Sequence, residues 1–526
     1  MPDPTSNAPA LTRESLGHLA YLHRVLTGGL SVPSSAIPPN TNPQSAIRNP
    51  QSWTGFYTPL ADGMNFGLRF QLAFAGYAVA ALGLHTPAYT RPTVAALGAA
   101  IERMRDVRAW GYWRPPVPGP AGSAGGGHVA LLVGGHRRPT GPPPPPGDPV
   151  VQDNVQFSGH LGTLLGLYER AGGDDRYDQG FALDDPESGA HYEYTHSAVV
   201  ERLVAQMRGN PFHGVACEPA CAYVPCNNHA MTATALHDAT HGTDYAAANA
   251  DWLAWVRRKM VLHGPAARGL FGACYLRDLH LTAPVAFQFT DSWGLAFLLP
   301  FDRTLVRRLY PRFRKRMSRA GTARYVGSAA ICAKMEISDV ALNTAFGLIV
   351  ARGLGDTATA DGMAAYAQTA FDRRWSGPEL AYAGATRTLH STALYALAAV
   401  VDPAGDLLTR LFHAPRDPAL AQQPALDWVT GGNPAAPPEL RPAAPHCGIA
   451  CAAYDSATRT LTLTTQPLGD APLPAPVWLD CIRMPAVAAL TCDDAPYSQW
   501  THNSATGRLR IQAESGQAHR FTVRVA

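Results

Sequence analysis

Residues 159–177 read GHLGTLLGLYERAGGDDRY, and the fold class follows from how that stretch is built. Its apolar residues recur at three- and four-residue spacing, the pattern of a helix with a buried face. The run then breaks at glycine followed by aspartate. Glycine supplies the left-handed position that ends a helix, and the Asp or Thr behind it caps the next one. The first break is Gly173-Asp174-Asp175-Arg176-Tyr177. The same punctuation returns at Gly242-Thr243-Asp244-Tyr245 and Gly355-Asp356-Thr357.

Working outward, the stretches SAVVERLVAQMRG (197–209), YAAANADWLAWVRRKMVLHG (245–264) and SDVALNTAFGLIVARGLG (338–355) carry the same helical period. Helix–Gly–Asp–helix repeated along the chain is the mark of stacked helical hairpins. No polar capping hairpin begins or ends the array, so the expected fold is mainly α: an (α/α)6 toroid over residues 1–430. Two stretches interrupt it. Residues 115–149, rich in proline and glycine, read as a surface insertion, and 431–445 (GGNPAAPPELRPAAP) as an interdomain linker. Beyond the linker the period changes to two, in RTLTLTT (459–465), GRLRIQ (507–512) and FTVRV (521–525). A small antiparallel β domain is therefore expected over 446–526.

The chain is 526 residues long with 46% hydrophobic residues, enough for a large core and too apolar for general disorder. Charged residues make up only 16%, which permits a homo-oligomer. The 43 basic and 40 acidic residues leave a net charge of +3, no electrostatic footprint for nucleic acid. The most membrane-like stretch, FGLRFQLAFAGYAVAALGL (66–84), carries Arg69 and Gln71, so a buried helix fits it better than a bilayer span. No secretory signal is visible, no N-x-[ST] sequon occurs, and nine cysteines is an odd number for a disulfide framework. The expected compartment is the cytoplasm. Four of the cysteines (Cys447, Cys451, Cys481, Cys492) fall in the β region, as buried thiols or as disulfides.

The densest chemistry is CEPACAYVPCNNH, from Cys217 to His229. Buried thiols acting as small hydrophobes are one reading. A metal site from C-x3-C-x4-C-x2-H is a second, but ligands this close in sequence strain a tetrahedral cage. The third is a catalytic pair, Cys217 and Cys226, beside the carboxylate of Glu218 and a nearby His. A second cluster, DNVQFSGH (153–160), brings His160 to the start of a helix behind Gly159. Asp174, Asp175 and Asp178 spell D-D-x-x-D, a magnesium–diphosphate array elsewhere. No second metal motif follows it, and it coincides with the Gly–Asp turn, so it reads as a turn.

The segments GVACEPACAYVPCNN (214–228), HDATHGTDY (237–245) and DNVQFSGHLGTLLGLYE (153–169) resemble the linalool dehydratase/isomerase family. LRFQLAFAGYAVAAL (68–82) and FTDSWGLAF (289–297) match more loosely. The resemblance covers residues ~10–415 and leaves out the insertion and the β domain. It implies an α/α toroid and cofactor-free, metal-free acid–base chemistry on monoterpene alcohols. By motif, Cys217 and Cys226 become the paired thiols, Glu218 an adjoining proton-handling carboxylate, and His160 a polar group near the hydroxyl. Against the family pattern, Phe70 and Phe289 stand where tyrosines are expected and Gln156 where a methionine is. The family's N-terminal aspartate, contributed by a neighbouring subunit, would align near Leu26. Asp62 and Asp291 are the substitutes considered, and Tyr57 and Tyr77 join the substrate lining.

These departures make the pocket more apolar and point away from linalool itself. The expected function is cofactor-independent dehydration, isomerisation or cyclisation of a small apolar isoprenoid or prenylated substrate, through a carbocation-like species. The alternative, a carbohydrate-active lyase or glycosidase of toroid-plus-β layout, needs two facing carboxylates, and no such pair stands out. A non-enzymatic helical scaffold with merely buried cysteines is the third reading.

Overall fold

The computed structural model describes residues 10–28, 67–113, 147–217, 221–263, 270–284, 287–328, 339–403, 406–415, 417–432, 444, 446–469 and 475–526. Glu218, Tyr57, Asp62 and nearly all of the 115–149 stretch lie outside them.

Thirteen helices carry the argument: α1 (Arg13–Thr27), α2 (Leu68–Gly83), α3 (Arg91–Arg105), α4 (Val155–Arg170), α5 (His196–Gly209), α6 (Val224–His241), α7 (Ala247–Trp255), α8 (Gln288–Leu298), α9 (Arg303–Lys315), α10 (Val340–Gly353), α11 (Thr357–Ala370), α12 (Thr388–Val400) and α13 (Asp406–His413). They divide by sequence pattern. α2 is buried without a break from Leu68 to Leu82, α4 from Val155 to Glu169, α6 from Val224 to His237, and α12 from Leu389 to Ala398. Helices that are apolar nearly all round, as α2 is, belong inside and one-sided helices outside, whereas α6 lies inside with Asn227, Asn228, His229, Thr232, Thr234 and His237 buried. α5 and α9 bury a single stripe and face their charged residues outward.

The packing follows that division. α2 contacts α4, α4 contacts α6, α6 contacts α8, α8 contacts α10, α10 contacts α12, and α12 returns to α2. α3, α5, α9 and α11 lie against this closed series, and α1 packs on α2, α3 and α12. The tightest approach is α4 on α6. A Cβ built on Gly159 would sit 3.1 Å from the Ala230 amide nitrogen, one on Gly162 3.0 Å from Ala233 Cβ, and one on Gly166 2.7 Å from Leu236 Cβ. The two residue series rise together, so the helices run parallel. α13 packs on α2 and α6, setting Phe412 near the rings of Tyr77 and Phe297, and Ala414 just beyond it accepts from the Arg170 guanidinium.

The expected turns form, with one change. Gly172, at φ 99°, takes the left-handed position, while Gly173 is pressed against the Tyr168 ring. Gly242 and Gly355 take the left-handed position as expected, but of the expected caps only Asp356 forms, accepting from Thr359 N; Asp175 makes no cap bond, and neither Thr243 nor Asp244 caps α7, which starts behind Ala246. Asp174 is held by Arg176 at 2.6 Å and by Tyr168, as a turn residue would be.

The C-terminal region is antiparallel throughout. β1 (Ala425–Thr430), β2 (Cys447–Asp455), β3 (Thr460–Pro467), β4 (Pro476–Ile482), β5 (Val487–Cys492), β6 (Ala495–Pro496), β7 (Trp500–Asn503), β8 (Arg508–Glu514) and β9 (His519–Val525) make two sheets. Their orders are β1-β4-β8-β7 and β2-β3-β9-β5-β6. Leu461, Leu463, Leu479, Ile511, Phe521 and Val523 fill the space between, on the alternating positions that the sequence marks. The sheet begins at Ala425, so the boundary expected at residue 446 falls inside it. β1 pairs with β4, and that long-range partner is invisible to local periodicity. Cys447, Cys451, Cys481 and Cys492 are free thiols. The β region docks on the helices through Leu11 N to Ala450 O, Ala88 N to Ala452 O and the Arg91–Asp427 ion pair. Among the described residues, no helix is long and apolar enough to cross a membrane.

Candidate active site

α4 starts where the backbone is forced. Asp153 and Asn154 both take left-handed conformations, at φ 55° and 56°. Such residues persist only when their surroundings hold them. Here Asn154 Nδ2 donates to Pro149 O, Asn154 Oδ1 accepts from Tyr112 Oη, and Val155 N donates to Ala216 O. That clamp fixes the rotation of α4, and its inner face then presents Gln156 and His160. Gln156 Oε1 accepts from the buried Arg69 at 2.7 Å, and the Arg69 guanidinium lies 3.9 Å over the Tyr112 ring.

Four residues from four inner helices form one hydrogen-bonded chain. Trp293 Nε1 lies 3.0 Å from His229 Nε2, His229 Nδ1 3.4 Å from Tyr77 Oη, and Tyr77 Oη 2.7 Å from His160 Nδ1. Its direction is fixed by chemistry. An indole N–H can only donate, so His229 Nε2 accepts and its Nδ1 carries the proton. That N–H donates to Tyr77 Oη, and the phenol hydrogen passes on to His160 Nδ1. The neutral His160 ring therefore bears its proton on Nε2. This buried N–H has no partner among the described residues. The chain thus ends in one bare donor inside the helix ring.

Rings surround it. Phe70 stands edge-on to His160 and Trp293 at 5.3 and 5.4 Å, and Phe74 packs on His160, Trp293, Phe297 and Phe346. His390, on α12, stacks on Phe74 at 4.9 Å, and neither ring nitrogen has a hydrogen-bond partner among the described residues. Trp293 and Phe289 are half-buried, and Phe289 stacks on Phe287. The paired thiols lie at the same end of the ring. Cys217 and Cys226 are buried thiols, with their sulfurs 3.2 Å apart. Cys226 and His229, three residues apart on α6, share one helix face.

The structure thus brings Cys217 to Cys226, His160 to Tyr77 and Phe70, and Gln156 to Arg69. Asp291 is placed elsewhere. Its buried carboxylate accepts from the Leu270 and Phe271 amides and is ion-paired with Arg316, which makes it a loop anchor. In the sequence His229 is named as a metal-ligand candidate, with an unspecified nearby His beside the thiol pair, and nothing singles out His390. The i,i+3 spacing of Cys226 and His229 was the available signal for the first; nothing local marked the second.

Burial pushes His229 down to about 3, His18 down to about 4, and His160 and His390 well below the ordinary histidine value of 6.5. These imidazoles stay neutral in the fold and become protonatable on unfolding. The unfolded chain binds more protons between the two values, so the stabilisation is complete above pH 6.5 and is lost as the pH falls. A His held at about 3 should cost about 2 kcal/mol by pH 5. The melting temperature is expected to be level from pH 7 to 8 and to drop steeply from 6.5 to 5. A flat profile down to pH 5 would show that these rings accept protons in place.

One comparison bears on this geometry: the sequence model of the linalool dehydratase/isomerase family matches residues 69–388.

Proposed function

The chain belongs to the linalool dehydratase/isomerase family, and on that premise we propose that it is a cofactor-independent acid–base enzyme acting on a terpenoid or prenylated alcohol. The directed chain ending at His160 Nε2–H, among packed aromatic rings and with Cys226 of the thiol pair one helical turn from His229, carries the reading. The closed order of inner helices supports its description as an (α/α)6 toroid.

In this reading the substrate hydroxyl oxygen accepts from His160 Nε2–H. A neutral imidazole orients that oxygen and is too weak an acid to break the bond, so the proton comes from a Cys217 or Cys226 thiol. The C–O bond breaks, water leaves, and the allylic cation is stabilised by the faces of Phe70, Phe74, Trp293 and Phe346. The thiolate left behind, held by its neighbour's S–H, removes a proton from the adjoining carbon. The thiol is restored and one water is lost. Return of the water to another carbon gives isomerisation, and attack by a second double bond gives cyclisation. The ring of aromatics keeps bulk water from the cation.

The carbohydrate alternative finds no support: the interior residues described here are thiols, imidazoles and aromatics, and Asp291 is already engaged. Incubating the chelator-treated protein with a panel of prenyl alcohols in deuterated water tests the proposal. A product lighter by one water, or an isomer carrying solvent deuterium, is expected. No conversion of any panel member by folded protein would overturn it.

A further inference from the structure

A second cluster of imidazoles lies further along α4 and α6. Glu169 is roughly 13 Å along α4 from His160 at 1.5 Å per residue. It accepts from His196 Nδ1 at 2.7 Å and from His241 Nε2 at 2.8 Å, through its two oxygens. His237 and His241, one turn apart at the end of α6, stack at 4.3 Å, and the His196 ring is 5.0 and 5.4 Å from them. Asp178, from the D-D-x-x-D stretch, stands 3.8 Å from His241.

The protons can be placed here too. A carboxylate only accepts, so His196 gives Glu169 its Nδ1–H, which in the neutral ring leaves a lone pair on Nε2. That nitrogen belongs to a fully buried side chain and has no partner among the described residues. Leaving such an atom unbonded costs about 1–3 kcal/mol, which a network kept only for stability would avoid. Thr243 Oγ1 donates to Asp238 at 2.6 Å and so accepts from His237 Nδ1–H at 2.8 Å. His237 Nε2 is then a lone pair as well, facing the Ser197 hydroxyl at 3.0 Å. His241, bonded to Glu169 through Nε2, keeps a lone pair on Nδ1.

Each of the three imidazoles is thus backed by a carboxylate on one nitrogen, Glu169 directly or Asp238 through Thr243; on the other, His196 meets no partner among the described residues and His237 meets only the Ser197 hydroxyl. Outer-sphere carboxylates of this kind fix the tautomer and orientation of metal-binding histidines. One nitrogen from each of His196, His237 and His241 lies within 4.8 Å of the others. The geometry points to a site for a divalent transition-metal ion, of the zinc, cobalt or nickel class, held by His196, His237 and His241 with Glu169 alongside. Three imidazole ligands select such ions over magnesium or calcium, which take oxygen ligands. Bound there, the ion ties α4, α5 and α6 together. It takes no part in the reaction proposed above, and neither inference depends on the other.

The test uses the full chain, stripped with chelator and titrated with Co²⁺ and Zn²⁺ separately. One equivalent of either should bind, Co²⁺ should develop visible ligand-field absorption, and Zn²⁺ should raise the melting temperature progressively with its concentration. His237→Gln and His241→Gln should each weaken binding at least tenfold, with His241, a quarter exposed, the safer site for folding. His519→Gln, at the unrelated Cys492–Asp493–His519 group, should bind as the unmodified chain does. No uptake by the unmodified chain would overturn the site. So would uptake that survives both substitutions, or that is lost with His519→Gln.

Discussion

Exchanging Cys226 or Cys217 for alanine is expected to lower turnover of a prenyl alcohol by roughly 10²–10⁴-fold, the range for losing a positioned acid–base group. The fold should survive. Both side chains are buried, and removing one sulfur leaves a void far smaller than those made by Leu→Ala changes. With the sulfurs 3.2 Å apart, each also stabilises the other's thiolate, so the double variant should be scarcely worse than either single one. Product mass under saturating substrate reads the effect, with circular dichroism to confirm folding. If both single variants kept more than a tenth of the original turnover, the proton would have to come from elsewhere.

The Tyr77→Phe substitution should act on stability and chemistry together. The phenol is the hinge of the hydrogen-bonded chain, and removing its oxygen strands His160 Nδ1 and the His229 Nδ1–H in a buried space. At about 1–3 kcal/mol for each stranded group, the loss should be about 2–6 kcal/mol. His160 would also be free to place its proton on either nitrogen, so kcat should fall further than KM changes. Denaturant unfolding and steady-state kinetics separate the two effects. An unchanged midpoint with unchanged kcat would show that the chain of donors sets nothing.

The buried histidines explain why part of this site could be read in the sequence and part could not. Cys217, Cys226 and His160 sit in short distinctive motifs, so residue type, spacing and the family resemblance single them out. His229 lies in the same motif and is named there as a metal-ligand candidate. Its role depends on Trp293 and Tyr77, 64 and 152 residues away. His390 sits in an apolar helix of ordinary composition, and only its stacking on Phe74 distinguishes it. Asp291 reads as a free carboxylate in FTDSWGLAF and becomes an anchor once the 270–271 backbone folds over it.

By itself, the sequence determined what neighbours along the chain can encode. Glycine and aspartate set where helices stop, all-round apolarity placed helices such as α2 inside and one-sided apolarity placed others outside, and a period of two marked the C-terminal strands. Each is a local preference of backbone and side chain, legible in a window of a few residues. The tertiary structure alone decided which polar atoms meet, and therefore which way each proton points. Hydrogen-bond direction depends on partners brought from distant helices, because a donor-only indole or an acceptor-only carboxylate imposes its polarity only on contact. The bare N–H of His160 and the bare lone pair of His196 are opposite outcomes for the same residue type. The difference is that one ring leans on a phenol that donates and the other on a carboxylate that accepts.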